Sequence, residues 1–232
     1  MKLGIFSDSH YSSAELTCNK RYNNKSLVKI KKAMEYFKEN ECDLVICLGD
    51  LIDCEKEHSK EVENLKAVSS VMGEFDMKTV VVMGNHDAFA FEIEEFYEIL
   101  GKKYYPDDIH KDGKSLLFID ACYFRNGVHY MPGDSGWDNT FYPHTEEFKN
   151  RISNATGDIY VFSHQNIDAS VREDHRVFNA SQIRDILEES GKVKAVFQGH
   201  YHPGHESELK GISYRTFPAM CEMEDAHYII EI

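Results

Sequence analysis

Five short segments of this chain bring Asp, Asn and His together in contexts that suit divalent metal ions: Asp8-Ser9-His10, Gly49-Asp50-Leu51-Ile52-Asp53, Gly84-Asn85-His86-Asp87, Ser163-His164 and Gly199-His200-Tyr201-His202. Carboxylate and carboxamide oxygens combined with imidazole nitrogens favour borderline ions such as Mn²⁺, Fe²⁺ or Zn²⁺, and no thiolate site is offered. A carboxylate with two usable oxygens can bridge two ions about 3.5–4 Å apart, the spacing that stabilises both the attacking and the leaving oxygen of a phosphoryl displacement. Asp50 is the candidate bridge. Taken singly, each segment has a plainer explanation. A lone His after a strand is usually a hydrogen-bonded surface or core residue, and Gly-Asn-His-Asp by itself suits a turn. Five such segments, each at the end of an apolar run, exceed what turn chemistry accounts for.

Those apolar runs are the elements that must position the segments. Residues 2–7, 43–48, 78–83, 158–163 and 193–198 are rich in Leu, Ile, Val and Phe and read as buried strands. Between the first two, Leu27, Ile30, Met34 and Phe37 recur at helical spacing after a possible Asn24 cap. Between the next two, Val62, Leu65, Val68 and Met72 do the same. The order β-α-β-α-β predicts parallel strands joined by right-handed crossovers. Their carboxyl ends converge on one crevice, where residues distant in sequence meet. A second such unit joins the strands at 158–163 and 193–198 through a helix carrying Ile183, Ile186 and Leu187. Asn179 and Gln182 suggest its capping box and Gly191 its stop.

Residues 104–121 read as a hairpin turning at Lys111-Asp112-Gly113-Lys114, and 206–217 and 226–232 as closing antiparallel strands. The fold class expected is α/β, with two sheets packed face to face and helices outside. No linker divides the chain, so residues 1–232 read as one domain. The aperiodic stretch 123–141, with four Gly or Pro among aromatic and charged residues, reads as a loop insertion that either faces substrate or is a plain surface excursion.

A formal charge of −14 argues against a nonspecific grip on nucleic acid or on an anionic membrane. A phosphorylated substrate would then need metal ions or a local basic pocket. The N-terminal residues fall short of a signal-peptide apolar core, and no run approaches the roughly 20 apolar residues that span a bilayer. The expectation is a cytoplasmic protein without nucleic-acid or membrane partners. The six cysteines form no CxxC pair and read as reduced, mostly structural thiols. His58, His110, His129, His144, His205 and His227 lie outside the metal-type segments and read as ordinary surface or loop residues.

In chain order, DxH, GDxxD, GNHD, an isolated His and GHxH resemble the calcineurin-like metallophosphoesterase superfamily, over residues 8–202. The resemblance implies a four-layer α/β/β/α sandwich with two mixed sheets and a dinuclear metal site at the strand C-terminal ends. It implies one divalent ion held by Asp8, His10, Asp50 and His202, and a second by Asp50, Asn85, His164 and His200. A metal-bridging hydroxide then attacks phosphorus. His86 matches the family histidine that holds the phosphate, together with Asn85, or protonates the leaving alkoxide. Asp87 would orient it through the other ring nitrogen, and Asp53 would support the metal ligands from behind.

A narrower similarity links CNKRYNNKSLVKIKKAMEYF and the run from Phe178 to Glu222 to manganese-dependent ADP-ribose/CDP-alcohol diphosphatases and adjoining cyclic-nucleotide phosphodiesterases. It implies a small phosphodiester or nucleoside diphosphate derivative as substrate. Arg21, Tyr22, Arg125, Trp137 and His175 would contact it by stacking or phosphate binding. The alternatives are a phosphomonoesterase of the same fold and a non-catalytic metal-binding scaffold.

Overall fold

In the computed structural model, which describes residues 1–55, 57–134 and 141–232, each apolar run becomes a strand that stops just before its metal-type segment. The first unit is β1 (Lys2–Phe6), α1 (Ser26–Glu39), β2 (Leu44–Cys47), α2 (His58–Gly73) and β3 (Thr79–Val81). Two helices follow that the apolar spacing did not single out, α3 (Asn85–Ala90) and α4 (Ile93–Leu100). The second unit runs β4 (Ile109–Lys111), β5 (Lys114–Ile119), α5 (Thr145–Asn154), β6 (Asp158–Ser163), α6 (Ala180–Ser190) and β7 (Val193–Gln198). It closes with β8 (His205–Leu209), β9 (Ile212–Thr216) and β10 (His227–Glu231).

Two mixed sheets result, ordered β10-β1-β2-β3 and β4-β5-β6-β7-β9-β8. Strands β1, β2 and β3 are mutually parallel, as are β5, β6, β7 and β9, while β10, β4 and β8 pair antiparallel at the edges. The period-two alternation of a strand then decides the layers. Leu3, Ile5, Leu44, Ile46, Val80 and Val82 face the gap between sheets and meet Leu116, Phe118, Tyr160, Phe162 and Phe197. Phe6, Val45, Cys47 and Val81 look the other way, toward the apolar stripes of the helices, among them Ile30, Met34, Phe37, Leu65 and Val68. Each large apolar side chain buried in these layers contributes roughly 1.5–3 kcal/mol. The architecture is the four-layer sandwich expected of the sequence.

Both expected helix caps fail locally. Asn24 lies in a 3₁₀ turn over Asn23–Lys25, and α1 begins at Ser26, whose hydroxyl donates to the Ser9 carbonyl. Asn179 does precede α6, but at φ −95°, ψ 29° it lacks the extended backbone of a capping residue. Its amide donates instead to Pro143 O at 3.0 Å and Thr145 Oγ1 at 2.8 Å, tying α6 to the start of α5. Gly191 ends α6 in left-handed backbone as expected, and Asp112-Gly113 turns the β4–β5 hairpin with both φ values positive. Within 123–141, Tyr130 and Phe141 are buried and their rings pack at 5.6 Å, so the described part of this loop is anchored in the core. Among the described residues, no helix is long and apolar enough to cross a membrane.

Candidate metal centre

The segments that follow the strands turn sharply. Asp8, His10, Asp50 and His200 all have φ between 43° and 65°, a left-handed conformation that costs a non-glycine residue about 1–3 kcal/mol. Backbone hydrogen bonds hold it in place: Asp8 N–H donates to Gly49 O, His10 N–H to Asp50 O and Tyr11 N–H to Leu51 O, each at 2.9–3.0 Å. The glycines preceding the ligands allow close approach. A Cβ on Gly84 would sit 2.2 Å from Asp50 Oδ1, and one on Gly199 would sit 2.1 Å from Ser7 Oγ and 2.8 Å from Asp8 Oδ2.

Two donor sets emerge. In the first, His10 Nε2 lies 3.7 Å from Asp8 Oδ1, 3.4 Å from Asp50 Oδ2 and 3.2 Å from His202 Nε2, and His202 Nε2 lies 3.4 Å from Asp8 Oδ1. In the second, His164 Nε2 lies 3.2 Å from Asp50 Oδ2 and 3.1 Å from Asn85 Oδ1, and His200 joins the cluster of Asp50 and His164. One oxygen of Asp50, Oδ2, therefore faces both sets. Its other oxygen, Oδ1, accepts the His86 backbone N–H at 2.8 Å.

The residues fit divalent ions. Nitrogen and oxygen ligands about 2.0–2.2 Å from one tetrahedral ion are roughly 3.3–3.6 Å apart, which matches these spacings. Among the described residues, Asp8 Oδ1 and Asn85 Nδ2 are buried without a hydrogen-bond partner, and the orphaned carboxylate oxygen belongs to the first set. Charge points the same way. Burial opposes ionisation of Asp8 and Asp50, yet the neighbouring histidines outweigh it and hold both well below the usual carboxylate range. Burial likewise opposes charge on His10 and His164, but Asp53 and Asp8 around the one and Asp50 beside the other raise both to about 9. Burial and then His164 push His200 down. Without ions, protons on His10 and His164 balance the carboxylates.

A further layer orients the ligands. His164 Nδ1–H donates to Leu48 O at 2.7 Å, leaving Nε2 for the centre, and His202 Nδ1–H donates to Glu222. Glu222 also pairs with Lys20 at 3.0 Å. Nothing in the acidic run that contains Glu222 marks it in the sequence. Asp53 Oδ1 lies 3.5 Å from His10 Nδ1 and 3.1 Å from His86 Nδ1, and the carboxylate accepts from Thr17, Asn23 and Arg21. The close approach of His10 and His86 overcomes burial and keeps Asp53 ionised. Burial first, and His10 after it, lower the pKa of His86, which also has Cys54 Sγ 3.1 Å from Nδ1.

Asp87 does not orient His86. Its Oδ2 accepts the Gly84 N–H at 3.0 Å, as an acidic third residue does at a helix start, and its Oδ1 accepts from Leu51 at 3.0 Å and Ile52 at 3.3 Å. It clamps the β2 and β3 exit loops together. Asp53 takes the place beside the ring because the β2 exit loop passes under His86.

Above the centre lies a cleft of about 600 Å³, lined by Asp50, Asn85, His86, His200 and His202 and, toward the rim, by Lys20, Arg21, Arg172, His175 and Tyr201. Arg21 and His175 thus stand where a substrate would extend. His175 packs at 5.4 Å from the His200 ring and 5.1 Å from Tyr201. Lys20, Arg172 and Tyr201 escaped the sequence reading, since isolated loop cations and a tyrosine carry no pattern. Arg125 is corrected: it lines a separate hollow with Phe124, Tyr142 and Gln182. Tyr22 is 42% exposed beneath the Lys25 ammonium and does not line the cleft. Trp137 lies outside the described residues.

The profile of the calcineurin-like phosphoesterase family matches residues 1–204. The chain belongs to that family, whose members hydrolyse phosphate esters and typically use two divalent metals. No curated protein sequence matches the chain. Among solved structures, a dimetal phosphatase from Danio rerio superposes with a TM-score of 0.83 at 15% identity, covering 99% of this chain and 91% of that one. A purple acid phosphatase from yellow lupin seeds gives 0.60 at 11% identity, over 93% of this chain and 43% of that one. The anchor in the inner membrane complex of Plasmodium gives 0.64 at 14% identity, over 93% and 70%. At such identities these likenesses establish the fold alone.

Proposed function

We propose that the chain is a two-metal phosphohydrolase of small phosphodiesters or nucleoside diphosphate derivatives, acting in the cytoplasm on a free small molecule rather than on nucleic acid or a membrane. The observation that carries this reading is Asp50 Oδ2, placed within 3.4 Å of both His10 Nε2 and His164 Nε2 and so shared by two complete donor sets. Asp8, His10, Asp50 and His202 would hold one ion, and Asp50, Asn85, His164 and His200 the other, with Mn²⁺, Fe²⁺ or Zn²⁺ suited to the ligands. Divalent ions there would acidify water and take up charge gathering on the phosphoryl oxygens.

The protein's own groups do the rest. Asn85 Nδ2, a buried donor without a partner among the described residues, is available to a phosphoryl oxygen. Asp53 beside His86 Nδ1 favours a proton there, so a proton reaches the departing oxygen from Nε2 only in the doubly protonated ring, the form that the charges of Asp50 and Asp53 support against burial. Arg21, Arg172 and Lys20 at the rim offer positive charge on an otherwise acidic protein, which supports a substrate with a second anionic group. His175 and Tyr201 offer ring faces to the remainder of the leaving group. Resemblance to ADP-ribose/CDP-alcohol diphosphatases and cyclic-nucleotide phosphodiesterases supports the same class.

Purified protein loaded with Mn²⁺ is expected to hydrolyse at least one of bis-p-nitrophenyl phosphate, ADP-ribose and cyclic AMP, and to stop when EDTA is added. If all three survive while p-nitrophenyl phosphate is cleaved, the monoesterase alternative replaces this reading. If nothing is cleaved and a partner is still bound by Asp50→Ala protein, a scaffold does.

A further inference from the structure

We propose that Cys221 is a sulfur donor to the first metal site and makes that site prefer thiophilic ions over hard ones. The proposal rests on the two-metal reading above. Cys221 lies outside all five motif segments, is fully buried and forms no disulfide. Nevertheless its Sγ and ring nitrogens of His10 and His202 lie within 4.8 Å of one another. Those two histidines come from the first donor set.

The placement is firmly held. Cys221 N–H donates to Asp8 O at 3.0 Å, its carbonyl accepts the Tyr22 N–H at 2.9 Å, and Met220 N–H donates to Ser7 O at 3.0 Å. From α1, the buried Lys29 ammonium donates to Met220 O at 2.9 Å and Met223 O at 2.8 Å. One short segment is thereby fastened across the end of β1, and it presents Glu222 to His202 as well as Cys221 to the cluster.

Coordination geometry is within reach. Nitrogen at about 2.0 Å and sulfur at about 2.3 Å from one ion lie roughly 3.0–3.5 Å apart as the number of ligands falls from five or six to four, so the cluster needs to close by up to roughly 1.5–2 Å. Binding replaces the thiol proton with the ion and releases that proton to solvent. The chemical consequence is an asymmetry. Asp8 and Asp50 alone leave the first site hospitable to Mn²⁺, whereas a thiolate added to two imidazoles shifts it toward Zn²⁺, Co²⁺ and Cd²⁺. The second cluster, Asp50, His164 and His200, includes no cysteine among the described residues. A mixed pair is therefore favoured, with the softer ion in the first site.

The test is a Co²⁺ titration of the metal-free full chain followed by absorption. Ligand-field bands in the visible report that cobalt has entered the centre, and a thiolate-to-cobalt charge-transfer band in the near ultraviolet reports sulfur. The expected result is both sets of bands in the unmodified protein and in Cys54→Ser, and ligand-field bands alone in Cys221→Ser. The ratio of Cd²⁺ to Mn²⁺ affinity is expected to fall on the order of 10-fold or more in Cys221→Ser, comparable to losing a supporting metal contact. Cys221→Ala serves if the serine variant does not fold. Ligand-field bands without charge transfer in the unmodified protein overturn the sulfur ligand and leave the two-metal reading standing. A charge-transfer band that survives in Cys221→Ser also overturns it. Failure of cobalt to bind at all overturns both.

Discussion

At the floor of the cleft, Asp8, His10, Asp50, Asn85 and His164 are almost wholly buried and come directly off strand and helix ends. At the rim, Lys20, Arg172 and His175 sit on loops, each held by a neighbouring carboxylate, Glu222 or Asp174. The floor leaves little tolerance. Left-handed residues locked by cross-strand backbone bonds, and glycines against which no Cβ fits, place Asp8, His10, Asp50, Asn85 and His200. The Lys20 and Arg172 contacts are ion pairs of exposed cations, which are individually weak and readily exchanged for a bound anion. A fold built this way keeps one reaction constant while its rim chooses what is presented to the reaction.

Predictions divide along that line. The largest effect belongs to Asp50→Asn, which removes the charge common to both donor sets. Turnover of the phosphodiester should drop on the order of 10³-fold or more, with bound metal falling below two ions per chain by elemental analysis. Near-normal turnover would dissolve the distinction between floor and rim. His86→Ala is next, with a loss of roughly 10²–10⁴ in kcat for a substrate whose leaving group needs a proton and a smaller loss for a p-nitrophenolate leaving group. Metal content should not change. Asp53→Asn should reproduce part of this effect and Asp87→Asn should not, since Asp53 and not Asp87 stands beside the ring.

Glu222→Gln, one layer behind the floor, should weaken metal binding at the first site by about 10–100-fold; calorimetric titration with unchanged affinity would reduce the Glu222 contact to packing. The pH dependence of the metal-free protein is a subtler probe. His10 and His164 rise from 6.5 to about 9 on folding, so the folded state binds their protons more tightly. The stability they contribute is complete below about pH 6.5 and is lost as pH climbs through 9. Tm of the metal-free chain should decline over that window, while metal affinity strengthens as the competing protons leave. A flat Tm would mean that the carboxylates do not hold these protons. The smallest effect is expected at the rim: Arg172→Ala should raise KM less than about 10-fold, and only for substrates carrying a second anionic group, because its present contact is an exposed pair with Asp174. An equal change for p-nitrophenyl phosphate would move Arg172 from rim to floor.

The sequence by itself determined the layer order and marked most of the side chains that gather at the centre. Apolar runs of strand length alternating with helical stripes leave few topologies, and parallel strands must converge at one end, so Asp8, Asp50, His164 and His200 had to lie near each other. What it left open were choices among neighbours that look equivalent in one dimension. Asp53 and Asp87 are both acids near His86, and only the course of the β2 exit loop under the ring selects Asp53. Asn24 and Asn179 both have capping chemistry, but backbone angles and the partners Pro143 and Thr145 redirected Asn179, while α1 began two residues after Asn24. Arg21 and Arg125 are similar loop arginines, yet one reaches the cleft and the other a separate hollow. Glu222 and Cys221 reach the centre through Lys29 and the end of β1, contacts made across almost the whole chain. Periodicity is a local property and was legible. Which side chain a given donor meets is set by how distant backbones approach, and only the tertiary structure decided that.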